Sequence, residues 1–536
     1  MMTSLISNVQ KPMRQFALAI CLVALPLAAN AKLSLVAQWG RFEKSFKSSV
    51  IYNDPFQQCT LRVTFASPTG ETNDVYGFWD GNSTWSVRYC PDRPGRWTYR
   101  TSCSDLANQR LNEQTGEFLC TSSTGDGSFA QHGPIQIARD RRHFEHADRS
   151  PFFWMADVAW DAPRMSNERD WKTYLQVRSL QSFSAVQWSA APGVDEKNHS
   201  AFSGWSRITV NPEYFQRLDQ KVDLMNRAGL LSVIAPLSPA DGSTNELPED
   251  QAALLVRYMV ARWGAYDVAW LLTGDESHGE RWLKIGREVF GDIKHGPVVM
   301  FPGALASNFD AFRNEDWVDA FGFGIGQNLN NDSIKWLVAG PPAHEWRNEP
   351  ARPFVNVLPP MENGLAGQSH ERITANDVRR IAWWSVLLTP SAGVSYGAQD
   401  VAAWNPALQS KLPTWQLSLF LPGAKQMQHI AGIFDSADAR KLRPTPRALA
   451  IQPGMISPRR YIANTETEEK DLSVSYIPED RTLEVFLGAL PASPSIEWLN
   501  PRTGQRSPAV AVVGVRTCQM PTPDTGDWVL VMKSGK

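Results

Sequence analysis

The chain has 536 residues, a formal net charge of −2 and 43% hydrophobic residues, and it contains 21 tryptophans. This length exceeds what one hydrophobic core normally holds, so about two to four domains are expected. The balanced charge argues against a nucleic-acid-binding protein, which would carry a strongly basic face.

Residues 1–31 have the pattern of a signal peptide. Lys11 and Arg14 form a basic region, an apolar stretch runs from Phe16 to Ala28, and residues 29–31 form a small-residue cleavage site. The apolar stretch is shorter than the ~20 residues that a membrane-spanning helix needs. We therefore expect a mature chain without a membrane span, exported to the periplasm or to the outside of the cell.

The N-terminal part of the mature chain, residues 32–125, is predicted to be a β-sandwich. Apolar and polar residues alternate from Leu61 to Phe65 and again from Trp85 to Tyr89, with a Pro/Gly turn at 91–95. Alternation with period two, interrupted by turns, is typical of antiparallel strands.

Five cysteines remain in the mature chain, and four of them lie in this first domain. Export permits disulfides, while buried free thiols are the alternative. An odd number leaves at least one thiol unpaired, and the spacing leaves the pairing open. The five are Cys59, Cys90, Cys103, Cys120 and Cys518.

Residues 126–440 are predicted to form a (β/α)₈ TIM barrel. Short apolar runs alternate with helical patterns about eight times, and helix caps are expected at Ser166, Asn211 and Thr374. Apolar runs without alternation are typical of parallel strands that are buried on both faces. The runs are Phe152–Asp157, Ser184–Trp188, Leu230–Leu237, Val268–Leu272, Val298–Phe301, Trp317–Phe323, Phe354–Leu358 and Val394–Tyr396.

Alternation returns in residues 441–536. Residues 472–476 and 483–487 flank a turn at 478–480, and Trp528 to Met532 forms a last strand. This pattern predicts a second β-sandwich, so the fold class is a central TIM barrel between two β-sandwich domains.

Catalytic groups of a TIM barrel lie at the C-terminal ends of its strands, and carboxylates follow several strand ends here. Asp275 and Glu276 follow the fourth strand, and Glu362 follows the seventh. Glycoside hydrolysis usually needs two carboxyl groups, one that protonates the leaving oxygen and one that attacks or activates water. Asp275 or Glu276, opposite Glu362, fits this requirement. Alternatively, either Asp275 or Glu276 only stabilises the N-terminus of the following helix, where a negative charge is favourable.

Aromatic and polar residues near the same strand ends are candidates for substrate binding, because sugar rings stack on indole faces. These candidates are Asp157, Trp160, Gln187, Trp188, Tyr396, Gln399 and Trp404.

Several stretches occur in an order and spacing that resemble the apiosidase-like glycoside hydrolases over nearly all of the mature chain. They are Gln38–Gly40, Tyr52–Phe56, Gly77–Gly81, Arg88–Trp97, His132–Pro134, Phe152–Trp160, Trp270–Glu276, Ser395–Ala398, Leu421–Met427, Asn500–Gly504 and Asp527–Val531. The resemblance implies a barrel between two sandwiches and hydrolysis of side chains of a plant or bacterial polysaccharide. It also implies that Asp275 is the general acid/base, with Glu276 as second choice.

The chain departs from the family pattern after the seventh strand. The family typically has Glu-Pro followed by an aromatic-Glu pair, whereas this chain has Leu358 at the first Glu position and Glu362 at the second. A leucine can neither attack nor activate water. A non-catalytic carbohydrate-binding homologue is therefore the main alternative to a glycosidase, and an interaction protein acting through its β domains is the third hypothesis.

Other chemistries lack their sequence signals. His143 and His146 resemble a metal-binding pair, but no His-Glu-x-x-His stretch of a zinc protease is present. The glycines of 322–326 lack the spacing of a dinucleotide-binding motif. No Gly-x-Ser-x-Gly motif of a serine hydrolase occurs. We expect no metal and no cofactor. The expected partner is a polysaccharide or oligosaccharide, and the sugar, its linkage and the oligomeric state are left open.

Overall fold

The computed structural model describes residues 33–237, 247–274, 279–367, 369–404 and 414–535. The predicted signal peptide, Asp275 and Glu276 therefore lie outside the described residues. Within the described ranges, no helix combines the length and the apolar character needed to cross a membrane.

The described part of the chain begins with a two-sheet β-sandwich. A five-stranded sheet of order β1-β8-β7-β3-β4 packs on a three-stranded sheet of order β2-β6-β5. The inward residues Leu61, Val63 and Phe65 are fully buried, as their alternation predicted. The elements are β1 (Ser34–Ala37), β2 (Phe42–Lys47), α1 (Pro55–Gln58), β3 (Leu61–Ala66), β4 (Thr72–Tyr76), β5 (Phe78–Trp79), β6 (Thr84–Tyr89), β7 (Gly95–Cys103) and β8 (Thr115–Thr121).

A small antiparallel sheet connects the sandwich to the barrel and covers the start of the barrel strands. Phe144 of this sheet lies with its ring 5.3 Å from the ring of Trp154, which begins the first barrel strand. The connecting elements are α2 (Ser128–His132), β9 (Ile135–Ile137), β10 (Phe144–His146) and β11 (Pro151–Phe152).

Eight parallel strands close into a barrel, in the order β12-β13-β16-β17-β18-β19-β20-β22, with β22 pairing back to β12. β21 also pairs with β22 and continues the seventh strand, while β14 and β15 form a separate hairpin. The strands are β12 (Trp154–Val158), β13 (Ala185–Ser189), β14 (Phe202–Ser203), β15 (Thr209–Val210), β16 (Leu231–Ala235), β17 (Val268–Thr273), β18 (Val298–Phe301), β19 (Ala320–Gly324), β20 (Phe354–Leu358), β21 (Met361–Glu362) and β22 (Gly393–Ala398).

Helices surround this barrel and bury its outer face. They are α3 (Ala162–Met165), α4 (Glu168–Leu180), α5 (Pro212–Arg227), α6 (Glu249–Trp263), α7 (Gly279–Phe290), α8 (Asp310–Arg313), α9 (Asn331–Ala339), α10 (Ala375–Leu387), α11 (Gln399–Ala403), α12 (Trp415–Ser418) and α13 (Pro422–Phe434). Successive side chains of a strand point to opposite faces, so each barrel strand contributes to two cores. Ala156 and Val233 belong to the inner core, whereas Met155 and Ile234 pack outward against the helices.

The C-terminal part is a second two-sheet sandwich, with sheets of order β23-β24-β25-β31-β27-β28 and β26-β30-β29. Its strands are β23 (Arg443–Pro444), β24 (Ala463–Glu466), β25 (Leu472–Ile477), β26 (Thr482–Phe486), β27 (Pro494–Leu499), β28 (Arg506–Pro508), β29 (Val512–Val513), β30 (Thr517–Pro521) and β31 (Trp528–Ser534).

The predicted fold class is confirmed, and two local predictions differ from the structure. The helix cap expected at Ser166 is Asn167, whose side chain accepts a hydrogen bond from the Asp170 amide. The strand expected from Trp317 begins at Ala320. Trp317 is instead packed against Gly286 of α7, so its apolar character reflects contact with a helix rather than with the sheet.

Candidate active site

The parallel barrel strands bring their C-terminal ends to one rim, which is the mouth of the barrel. The fourth strand, β17, ends at this rim with Thr273, whose hydroxyl donates to the Leu237 carbonyl at 3.2 Å. The next residue, Gly274, donates its amide to the Phe301 carbonyl at the end of β18 at 2.9 Å. Asp275 and Glu276 follow Gly274 directly along the chain.

The seventh strand, β20, brings Leu358 to the same rim. Leu358 is partly buried and packs against the inner core of the barrel, as does Trp160. The glycines of 322–326 make room for this strand: a β-carbon on Gly324 would lie 2.7 Å from that of Leu358, and one on Gly322 would lie 2.7 Å from Val357. An aliphatic side chain therefore occupies the position where the family pattern has its first glutamate.

Glu362 lies beyond Leu358 and is turned toward the outer helices. Its carboxylate accepts hydrogen bonds from the Tyr396 hydroxyl at 2.6 Å and from the Gly423 amide, near the start of α13, at 3.2 Å. The residue is 3% exposed, and burial raises the pKa of its carboxyl group. The helix N-terminus and the tyrosine hydroxyl both favour the charged form, but desolvation outweighs them. Glu362 thus lies in a closed pocket behind the barrel wall.

Asp157 also points outward from the barrel. Its carboxylate accepts hydrogen bonds from the Tyr174 hydroxyl and from Arg178 Nε, both at 2.7 Å and both on α4. Asp157 and Arg178 are completely buried, and burial raises the pKa of Asp157 in spite of the arginine. This pair joins the first strand to its helix and has no exposed surface.

Trp188 and Tyr396 share the outward orientation. The Trp188 indole donates to the Ser232 hydroxyl at 2.9 Å and lies next to Trp263 of α6. Tyr396 donates to Glu362. Both side chains belong to the core between the barrel and its helices.

Gln187 points into the barrel. Its amide nitrogen donates to the Val357 carbonyl at 2.8 Å, and its amide oxygen accepts from the Ser395 hydroxyl at 3.3 Å. The side chain therefore links the second strand to the seventh and eighth across the interior. It is completely buried beneath the rim.

Trp160 is the predicted aromatic residue that lies partly exposed at the rim, beside Val158, Met361 and Ala402. Gln399 is also partly exposed and begins α11. Trp404 is buried instead, because its ring stacks on Trp415 with the centroids 4.1 Å apart. Of the seven predicted substrate-binding residues, Trp160 and Gln399 have exposed surface near the mouth.

Sequence reasoning missed the groups that hold the buried polar residues in place. Tyr174 and Arg178 lie on the inward face of α4, together with Trp171 and Leu175. An arginine on the apolar face of a predicted helix signals a buried carboxylate partner, since such a charge is not buried unpaired. Arg178 carries that signal, and the structure shows that its carboxylate partner is Asp157. The contact between Gly423 and Glu362 had no comparable signal.

The family is settled by the central part of the chain. Residues 138–440 match the family described as "Apiosidase-like, catalytic domain". The chain belongs to the apiosidase-like family. It is therefore a glycosidase by family, in agreement with the resemblance found in the sequence. Residues 35–104 match a domain of unknown function, and residues 450–533 match a family described as the proposed collagen-binding domain of a collagenase.

Solved structures share the fold of this apiosidase-like chain at low sequence identity. One glycoside hydrolase is 18% identical with a TM-score of 0.67, over 77% of this chain and 99% of that chain. A family 5 glycoside hydrolase from Bacteroides vulgatus ATCC 8482 is 17% identical with a TM-score of 0.68, over 77% of this chain and 95% of that chain. A second protein of that organism, provisionally assigned as a glycoside hydrolase, is 17% identical with a TM-score of 0.68. The match covers 94% of this chain and 100% of that chain. No curated protein sequence matches the chain significantly.

Proposed function

We propose that this apiosidase-like chain is an exported glycosidase that releases sugars from side chains of a plant or bacterial polysaccharide. The observation that carries the proposal is the Asp275-Glu276 pair in the sequence, which follows Gly274 after the C-terminal end of the fourth strand of a closed barrel. Trp160 is partly exposed at the same rim. The pattern of residues 1–31 supports export. We also propose domain boundaries after residues 125 and 440.

In the proposed mechanism Asp275 is the general acid/base that protonates the leaving oxygen, and Glu276 is the second choice for this role. A carboxyl group that donates a proton near neutral pH needs a raised pKa, and apolar surroundings raise it. Leu358 and Trp160 provide apolar surface at the rim. Trp160 is proposed to stack on a sugar ring.

Glu362 is proposed as the second carboxyl group of the site, and two roles are open to it. As a reacting group it would have to leave its hydrogen bonds with Tyr396 and Gly423 and turn toward the mouth. As a positioning residue it would link Tyr396 of β22 to Gly423 of α13 and so fix the position of these two elements behind the mouth. The present orientation favours the positioning role.

The proposal is tested by a screen of purified protein against plant and bacterial glycans that measures released sugar. Asp275→Asn, Glu276→Gln and Glu362→Gln are assayed in parallel, with Glu288→Gln as a matched control on the exposed face of α7. Loss of the acid/base is expected to lower kcat by roughly 10²–10⁴-fold. NMR of the first sugar anomer released distinguishes retention from inversion.

The variant Leu358→Glu distinguishes an active glycosidase from a protein whose active site has lost its nucleophile. Sugar release by the wild-type chain that Asp275→Asn or Glu276→Gln abolishes would support the glycosidase. Binding of a glycan without release, together with release by Leu358→Glu, would instead favour a carbohydrate-binding protein that lost its nucleophile. Release that survives all three carboxylate variants would overturn the assigned site.

A further inference from the structure

Two cysteines of the N-terminal sandwich lie with their sulfurs almost in bonding contact. The Sγ atoms of Cys59 and Cys103 are 3.4 Å apart, and both residues are buried. A disulfide bond is about 2.05 Å long, so the two sulfurs have to approach by roughly 1.4 Å to form one.

The backbone around the two cysteines holds them in this relation. Cys103 ends β7, where it is paired with Leu61 of β3, two residues after Cys59. The Thr60 amide donates to the Ser104 hydroxyl at 2.8 Å, and the Ser104 amide donates to the Thr60 carbonyl at 2.9 Å. The pair therefore belongs to an ordered strand end, and its proximity does not depend on a loop.

The other cysteines have different surroundings. Cys120 makes its sulfur contact with the Thr121 carbonyl, and Cys518 is buried in the core of the C-terminal sandwich. Cys90 lies on the wall of a cavity of about 280 Å³ between the N-terminal sandwich and the barrel.

We propose that Cys59 and Cys103 are a modification site, at which a disulfide-containing oxidant such as glutathione disulfide converts the two thiols into an intramolecular disulfide. The Cys103 thiolate attacks one sulfur of the oxidant and displaces the other as a thiolate. Cys59 then loses its proton to water and attacks the Cys103 sulfur, which forms the Cys59–Cys103 bond and releases the second oxidant thiol. Two protein thiols are oxidised, and one oxidant disulfide is reduced to two thiols.

The hydrogen bond between the two thiols distinguishes Cys103 from Cys59 in the closed state. The hydrogen bond with Cys59 lowers the pKa of the Cys103 thiol, and the thiolate is the form that attacks a disulfide. Because both sulfurs are buried, the reaction requires transient opening of the strand end.

The bond would stabilise the segment that docks the sandwich on the barrel. Cys59 directly follows α1, whose Gln57 donates to the Ile208 carbonyl and to the Gln251 side chain, both at 2.7 Å. Phe56 of the same helix contacts Tyr258 of α6, with the ring centroids 5.8 Å apart. A disulfide would tie this docking helix to the far end of β7.

The test uses the purified full chain, incubated with glutathione disulfide and then unfolded in iodoacetamide without reductant. Mass spectrometry of the peptides is expected to find the label on Cys90, Cys120 and Cys518, and also on Cys21 where residues 1–31 are retained. Cys59 and Cys103 are expected to take the label only after reduction. Because the oxidant is supplied, the result does not depend on export or on glycosidase activity. Complete labelling of Cys59 and Cys103 without reductant, or a bond between Cys59 and a cysteine other than Cys103, would overturn the proposal.

Stability provides a second readout. The oxidised wild-type chain is expected to melt about 5 °C or more above its reduced form, because the bond constrains the unfolded state. Cys59→Ser and Cys103→Ser should each abolish this dependence on reductant, and Cys120→Ser should preserve it. An oxidised chain that melts at the same temperature as the reduced one would show that the bond does not fix the docking segment.

Discussion

At the residue scale, the strand-end polar residues separate into buried and exposed groups that serve different purposes. Asp157 is completely buried with Arg178, whereas Trp160, three residues later, has exposed surface at the rim. A buried ion pair is costly to break from one side, because the remaining charge has no partner and no water. We therefore expect Asp157 to act on folding, whereas Trp160 is proposed to act on substrate binding.

Asp157→Asn is accordingly expected to lower the free energy of unfolding by about 3–5 kcal/mol, measured by urea denaturation. Molecules that still fold should keep a nearly unchanged KM. The matched variant Trp160→Ala should raise KM by ~5-fold or more through loss of ring stacking, with little loss of stability. A large rise in KM for Asp157→Asn at unchanged stability would instead indicate that Asp157 contributes to substrate binding.

Asp267 introduces a pH dependence at the bottom of the barrel. Burial raises the pKa of its carboxyl group to about 7, and Arg41 opposes this only in part. The folded state then holds a proton that the unfolded state has already released, so wild-type stability falls as the pH rises from about 4 to about 7.

Asp267→Asn removes this titration. The variant is expected to gain about 1–2 kcal/mol relative to the wild-type chain between pH 4.5 and pH 8, a figure reduced for partial solvent screening. Thermal unfolding of both proteins across this pH range measures the difference. Parallel stability curves for the two proteins would contradict the assignment.

At the element scale, α10 supports the mouth from behind. It follows the seventh strand, and its Val378 lies with Glu362 against Gly423 of α13. Thr374 starts this helix with a capping box, in which its hydroxyl accepts from the Asp377 amide while the Asp377 carboxylate accepts from the Thr374 amide. The start of the helix is therefore set by local chemistry, as the sequence predicted.

Thr374→Ala is expected to lower the free energy of unfolding by about 1 kcal/mol, because the Asp377 amide loses its capping partner. Thr374→Ser retains the hydroxyl and should stay close to the wild-type value. Denaturant unfolding followed by circular dichroism measures both variants. Equal losses in the two would indicate that the methyl group, rather than the cap, supports the helix.

At the scale of the whole molecule, a buried arginine–aspartate pair joins the barrel to each sandwich. On the N-terminal side, Asp219 of α5 accepts from Arg88 of β6 at 2.8 Å and from Arg262 of α6 at 2.7 Å. On the C-terminal side, Arg379 of α10 donates twice to Asp527 at 2.7 Å. Charged hydrogen bonds of this kind fix the orientation of one domain on another.

Asp219→Asn removes one of the two carboxylates that pair with each of two nearly buried guanidinium groups, since Arg88 keeps Glu43 and Arg262 keeps Asp80. We expect a loss of about 1–3 kcal/mol and a sandwich that unfolds before the barrel, visible as a separate calorimetric transition. Asp223→Asn on the same helix is the control, since Asp223 pairs with exposed and half-buried arginines and should cost less than about 1 kcal/mol. A single unchanged transition for Asp219→Asn would show that the interface is held by apolar contacts.

The sequence by itself determined the elements and the rim of the barrel. Runs such as Val298–Phe301 and Phe354–Leu358 were located to the residue, because apolar runs bounded by turns and caps define buried strands. Parallel strands bring their ends together, so the position of Leu358 at the mouth also follows from the strand order. The absence of a glutamate there is a property of the sequence alone.

Only the tertiary structure decided which way each strand-end side chain points. A strand buried on both faces is apolar throughout, so its sequence carries no alternation to tell inside from outside. For this reason the sequence does not distinguish Gln187 from Trp188 and Tyr396, although Gln187 crosses the interior and the other two face the helices. The pocket of Glu362 likewise depends on Gly423, a residue 61 positions away along the chain that only folding brings near.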